Sequence, residues 1–251
     1  MAKPLTYRHK CVVLDRVKLS EQDLILVLLT DTGSQLTAVA KGARKSGSKL
    51  SARCDYFCMS DFLFRQSKAP LPYVTEANLI QIYPSLRSIP EHMQAASAAL
   101  EIARMTSFED SEDPIAFAMV IRLFECMDEA NTQEQLEMLL SGYVFKILAH
   151  KGWLVQTSVC TNCNSEDVTS FSCINGGVMC GECTENVLDI EAITQEQIQW
   201  IDYVLNSTFE EILNTQITTE MSMWLVGLAY RWASTHLDNR LYAMQFMLGI
   251  V

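Results

Sequence analysis

No apolar run in this sequence reaches the roughly 18 residues that a membrane-spanning helix needs. The amino-terminal stretch MAKPLTYRHK has no apolar core, so a secretory leader is not expected and the protein is placed in the cytoplasm. Histidine is scarce. His9, His92, His150 and His236 are scattered, and none forms the H-x-E that a zinc deaminase places near its cysteine pairs. A nucleophile elbow and a Walker motif are both missing. An even set of cysteines is missing too. Nine cysteines in 251 residues do not make the disulfide framework of a short secreted chain, and metal-bound thiolates in a reducing compartment fit better.

The composition, 49% apolar and 20% charged, is that of a globular protein with a sizeable core, in one large domain or two small ones. The net charge of −11 argues against nucleic acid as a partner until its distribution is considered. Residues 1–70 hold twelve Lys and Arg against six Asp and Glu, a balance of +6. Residues 71–251 hold seven against 24, a balance of −17. The carboxylates of this second part are read as a solvating face rather than a catalytic pair.

Short Val-, Ile- and Leu-rich runs at Lys10–Asp15, Asp23–Thr30 and Gln35–Ala40 predict strands, with Asp31-Thr32-Gly33 as a hairpin turn. Tyr56–Arg65 and Tyr73–Tyr83 are two more, joined by a loop holding Pro70 and Pro72. Five strands in about 80 residues suggest a small barrel. From Pro84 the period becomes helical, first at Met93, Ala96, Leu100 and Ala103. Asp113-Pro114 opens a helix over Ile115–Met127, which is apolar on nearly every side and is expected to be central. Thr132 and Gln135, and later Thr194 and Gln197, have capping-box spacing. The first pair leads an apolar stripe from Leu136 to Leu148 that stops at Gly152, and the second a helix through Leu205. Met221–Leu248 reads as one helix or two, with a break near Leu237–Asn239.

Cys160-x2-Cys163 and Cys180-x2-Cys183 have sixteen residues between them, within the range of a zinc ribbon. Two such turns can aim four thiolates at one ion, with Gly176-Gly177 turning the chain between them. Four thiolates fill a tetrahedral sphere and leave no place for water, so one structural zinc is expected. Iron in the same geometry, or four unliganded cysteines, are the alternatives. Cys11, Cys54, Cys58, Cys126 and Cys173 are read as small buried residues.

Gly33–Arg53 carries Lys41, Arg44, Lys45, Lys49 and Arg53 and no acidic residue. Gly42 and Gly47 have P-loop separation, but Ser48-Lys49 follows instead of Lys-Ser/Thr, so nucleotide binding is rejected. The functional reading is a loop that contacts nucleic-acid phosphates; the bland one is a solvated loop. Small barrels commonly bind single strands through loops and one sheet face, and Tyr56, Phe57, Phe62 and Phe64 could offer stacking surfaces or be core.

These residues resemble the RecO family of bacterial DNA repair proteins over nearly the full length. The likeness runs through Val13-Leu14, Glu21, Asp23 and Thr30-Asp31-x-Gly33 and is sharpest at Ala40-Lys41-Gly42-Ala43-Arg44-Lys45-Ser46. It returns at Gly152-Trp153, at both cysteine pairs with Gly176-Gly177-Val178, and at His236-Leu237, Arg240-Leu241 and Phe246-Met247. The resemblance implies an α+β protein: an N-terminal five-stranded OB-fold barrel over residues 1–82, then an α-helical domain over 83–251 with an inserted four-cysteine zinc ribbon at about 158–185. It implies a recombination mediator without catalytic turnover, associated with the nucleoid when acting. Such a protein binds single- and double-stranded DNA and anneals complementary strands. With RecR it promotes RecA loading onto DNA coated by single-strand-binding protein (SSB), whose acidic C-terminal tail it engages. No membrane or small-molecule substrate is implied. Lys41, Arg44 and Lys45 match the family's basic loop, and the four paired cysteines its zinc ligands. One departure concerns the SSB tail, which needs a basic-rimmed apolar pocket. The only cations of residues 71–251 are Arg87, Arg104, Arg122, Lys146, Lys151, Arg231 and Arg240, and they do not mark one. The competing readings are a zinc-stabilised protein-interaction module without DNA binding and a metal-dependent enzyme with an open metal position.

Overall fold

The structure, a computed structural model, describes residues 5–250; the first four residues of the stretch read for a leader lie outside them. The protein is α+β and divides into two compact units. One comprises residues 1–96 and 103–128, the other residues 97–102 and 129–251.

In the first unit β1 (Thr6–Lys18), β2 (Leu24–Thr30), β3 (Gln35–Ala40), β4 (Cys58–Arg65) and β5 (Tyr73–Ile82) close a barrel in the order β1-β2-β3-β5-β4. Alternation fills it: Cys11, Val13, Leu26, Leu28, Ala38, Phe62, Phe64 and Val74 point inward. β1 is longer than its apolar run. Thr6–Lys10, polar in sequence, is held by pairing with Asp61–Arg65 of β4, and a bulge between Val13 and Asp15 bends the strand around the barrel. β4 begins at Cys58 rather than Tyr56, because Phe57 takes a left-handed φ of 57° and breaks the extended run. The β2–β3 turn uses Gly33 at φ 80°, where a Cβ would lie 1.8 Å from the Asp113 carbonyl oxygen. That hairpin tip is bonded to the segment before α3, through Gln35 N–H to Phe108 O (2.9 Å) and Asp113 N–H to Thr32 O (2.8 Å).

α1 (Pro84–Ser88) and α2 (Pro90–Thr106) both start with proline at a first-turn position. α3 (Pro114–Glu129) does not have the all-round burial its composition predicts. Ala116, Val120, Leu123, Phe124 and Met127 are covered, while Ile115 is 54% exposed. One face of α3 packs, with Phe124 edge-on to Tyr83 and Phe57, and the other meets solvent.

The central helix is α4 (Gln133–His150), in the second unit, with twelve of its eighteen residues buried. Its capping box is formed as expected, and it packs against α5 (Gln195–Asn206), α6 (Phe209–Leu213) and α7 (Thr219–Leu237). A Cβ at Gly142 would meet Ile212 Cδ1 at 2.8 Å, so glycine sets the closeness of α4 and α6. Glu137, buried in α4, accepts from Ser222 Oγ of α7 at 2.7 Å and from Gln133 at 3.0 Å, so the carboxylate is paired within the core. The C-terminal stretch is two helices, α7 and α8 (Tyr242–Met247), separated where Asp238 turns left-handed at φ 45°. No helix among the described residues is long and apolar enough to cross a membrane.

Candidate functional site

The cysteine segment folds on its own local rules. β6 (Ser170–Ser172) pairs with β7 (Gly177–Met179) and β8 (Glu191–Ala192), in the order β7-β6-β8. Gly177 must be glycine, since a Cβ there would lie 2.1 Å from the Gln156 carbonyl oxygen across the parallel bridge that ties the two segments. This sheet is anchored within the second unit by Phe171 against Trp232 of α7 and by Arg231 donating to both carboxylate oxygens of Glu191 at 2.7 and 2.8 Å.

The first knuckle turns on Asn164 at φ 61°, whose N–H donates to the Cys160 carbonyl. The second is a short 3-10 turn over Gly181–Cys183. Together they bring the sulfurs of Cys160, Cys163, Cys180 and Cys183 within 4.8 Å of one another. Cys163 and Cys180 are 3.6 Å apart, close to the roughly 3.8 Å edge of a tetrahedron with 2.3 Å metal–sulfur bonds. Burial works to raise the Cys160 thiol, but the backbone N–H groups of Cys180, Cys163 and Asn162 directed at its sulfur bring it down to about 6. The Ser165 N–H favours a Cys163 thiolate, yet the sulfurs of Cys180, Cys183 and Cys160 outweigh it and push that thiol up to about 12. A cation at the centre would reverse this repulsion. Asn162 Nδ2 also donates to Cys183 Sγ at 3.3 Å. This donor set fits a soft or borderline metal ion, and the four residues could bind one. The other cysteines differ. Burial pushes Cys54 and Cys173 up to about 12 and raises Cys11 well above the ordinary thiol, so they stay neutral core residues.

The basic segment leaves the end of β3 and wraps one end of the barrel. Gly42 at φ 67° and Gly47 at φ 73° turn it, and Ala43 (2% exposed) and Cys54 plug the barrel core. The Gly42 N–H donates to Asp23 Oδ1 at 2.7 Å, and Arg44 N–H to Gln22 O at 3.0 Å, which ties the loop to the β1–β2 turn. Lys41, Arg44, Lys45 and Lys49 are exposed; Arg53 is half-buried, folded back so that its guanidinium donates to the Lys49 carbonyl. Arg44 donates to the Ser20 and Glu21 carbonyls, and Lys41 Nζ lies 4.3 Å from the centre of the Tyr73 ring. Among the described residues, none of the five forms an ion pair. Other cations of this unit do: Arg8 with Asp61 and Glu76, Arg16 and Arg87 with Asp55, and Arg104 with Asp15. The loop charges are therefore without an ion-pair partner among the described residues.

Of the four aromatics considered for stacking, Phe62 and Phe64 are fully buried core and Phe57 is nearly so. Tyr56 is partly covered, with Arg16 4.7 Å above its ring and its hydroxyl donating to Asp15 at 3.3 Å. The ring beside the basic loop is Tyr73, and no local pattern in the sequence marks it.

The first unit is thus an OB-like barrel carrying a cationic loop, and the second a helical unit holding a four-cysteine metal-site candidate. Comparison with known proteins makes this specific. The model described as "Recombination protein O N terminal" matches residues 1–83, and "Recombination protein O C terminal" matches residues 87–244. The chain belongs to the RecO family, which supports a role in DNA repair and recombination. It is similar to the DNA repair protein RecO of Dehalococcoides mccartyi (strain CBDB1), 26% identical over 224 residues that cover 88% of this chain and 87% of that one. It is also similar to the DNA repair protein RecO of Alkaliphilus metalliredigens (strain QYMF), 25% identical over 232 residues that cover 90% and 92%. With that of Synechococcus sp. (strain JA-2-3B'a(2-13)) it shares 29% identity over 188 residues, 71% of this chain and 66% of the other.

Proposed function

We propose that the protein is a recombination mediator that binds single- and double-stranded DNA through the loop of its barrel and anneals complementary strands. In this reading it acts with RecR to promote RecA loading onto SSB-coated DNA, engages the SSB tail, works at the nucleoid and has no catalytic turnover. The observation that carries the DNA reading is the set of exposed loop cations, Lys41, Arg44, Lys45 and Lys49, with no carboxylate partner among the described residues. Arg53 is the fifth candidate contact. Cationic loops bind the phosphate backbone by releasing counterions, so affinity falls with salt. The four sulfurs would hold one zinc ion, which cross-links the two knuckles and keeps the sheet in place.

The test is a fluorescence anisotropy titration on single-stranded DNA across a salt series. Four phosphate contacts predict a log–log slope of about −2.8 and five about −3.5. Replacing Lys41, Arg44 and Lys45 with alanine should flatten the slope by about 2. No binding even at low salt would favour the protein-interaction module instead. Metal identity is read by X-ray absorption: four sulfur neighbours and a zinc edge are expected, and fewer sulfurs would favour a catalytic metal.

A further inference from the structure

Tyr73 opens β5 where three strands meet. It is the one residue of β5 paired in parallel with β3, through Val39, and it is also paired with Arg65 at the end of β4. Alternation decides where its side chain goes. Val74, next along the strand, is 5% exposed and packs in the barrel core, so Tyr73 faces outward. Two cations flank the ring: Lys41, whose ammonium sits over it, and Arg65, exposed across the strand pair. Neither cation forms an ion pair among the described residues. An outward aromatic between two unneutralised cations, at the base of a basic loop, has the parts of a single-strand subsite: a ring for a base and charges for the phosphates on either side.

We infer that Tyr73 is a base-stacking residue for single-stranded nucleic acid, and that Lys41 guards its ring in the free protein. On binding, the Lys41 ammonium moves from the ring to a phosphate, and a base takes its place. The exchange is favourable because an exposed cation–π contact is the weaker of the two interactions. Arg65 holds the neighbouring phosphate. This deepens the proposed DNA binding and rests on it, but it assigns a different part. The loop cations read only phosphates, whereas Tyr73 reads the presence of a base.

The experiment compares a labelled oligothymidylate with an oligomer of the same length made of abasic units, which keeps the phosphates and removes the bases. Tyr73→Phe should bind both like the wild type. Tyr73→Leu, which keeps an apolar side chain at the strand start, should lose about five-fold or more on oligothymidylate and nothing on the abasic oligomer. Lys41→Ala should weaken both. Far-UV circular dichroism checks each fold, and Tyr73→Ile, suited to a strand, serves if the leucine variant fails to fold. An equal loss on both oligomers, or no loss on oligothymidylate, overturns the stacking role. If the wild type binds neither oligomer, DNA binding itself fails. If it binds both, and the triple alanine variant of the loop loses both while Tyr73→Leu matches the wild type, this inference alone fails.

Discussion

The cysteine sheet and the basic loop solve opposite problems. The sheet, with strands of three, three and two residues, has little core of its own. It gathers four sulfurs that would repel one another as thiolates without a cation between them. The loop has no metal-site residues, yet it is fixed at both ends by the barrel core through Ala43 and Cys54. Its charges repel too, and none of them forms an ion pair among the described residues. In one region the missing positive charge is expected to come from an ion that completes the fold. In the other the missing negative charge is expected to come from a ligand that leaves the fold unchanged.

Metal removal gives the largest expected effect and tests this contrast directly. Structural zinc contributes on the order of 10 kcal/mol to sites of this kind. Chelation, or Cys160→Ser, should therefore abolish hydrogen-exchange protection at Phe171 and Val178. DNA affinity measured on the same sample should survive, and its loss would mean that the two regions are not independent. Acid should act like chelation, because the ligands must be deprotonated to hold the ion.

Next comes Gly33→Ala, expected to cost about 2 kcal/mol or more. It combines a left-handed backbone with a Cβ placed 1.8 Å from the Asp113 carbonyl oxygen. Urea denaturation reads the loss, and the metal content should stay the same. Thr194→Ala is smaller, about 1 kcal/mol. It removes the side chain that accepts from Gln197 N–H at the start of α5, close behind the cysteine sheet in the chain. The rank order of these two variants in urea checks both values.

A pH dependence is the last effect. Burial depresses Lys146 to about 8, while its Nζ donates to the Leu205 carbonyl at 2.6 Å. A lysine with a lowered folded-state value burdens the fold below that value, since the unfolded chain holds the proton more readily. The burden lifts as pH rises from about 8 toward the ordinary lysine value of 10.5. The difference in stability between wild type and Lys146→Met should thus shift in favour of wild type over that window. A difference that stays flat would remove Lys146 from the account.

Much of this was legible because it is local. C-x2-C spacing, the capping boxes at Thr132 and Thr194 and the turn at Gly33 are properties of a few adjacent residues. The box at Thr208 and Glu211 has the same spacing but escapes notice, because the helix it starts has only five residues and no apolar period of its own. Composition misled at α3. An apolar helix covered on one face has nearly the sequence of one buried all round, and only its neighbours distinguish them. The aromatics of β4 show a similar limit. Alternation predicts that some turn inward but not which, and the barrel takes both Phe62 and Phe64. Tyr73 lies at a parallel pairing between strands far apart in the chain, and no periodicity encodes that.

The hairpin tip at Gly33 has a consequence for how the chain can be made and divided. Its hydrogen-bonding partners, Phe108 and Asp113, are not synthesised until long after the fifth strand. On the ribosome the barrel would wait, closed but with one corner unsatisfied, until those residues emerge. A fragment ending at residue 82 would keep that corner open permanently, while one ending after Asp128 would carry its own clasp. Anyone expressing the barrel alone should expect the shorter piece to be the stickier one.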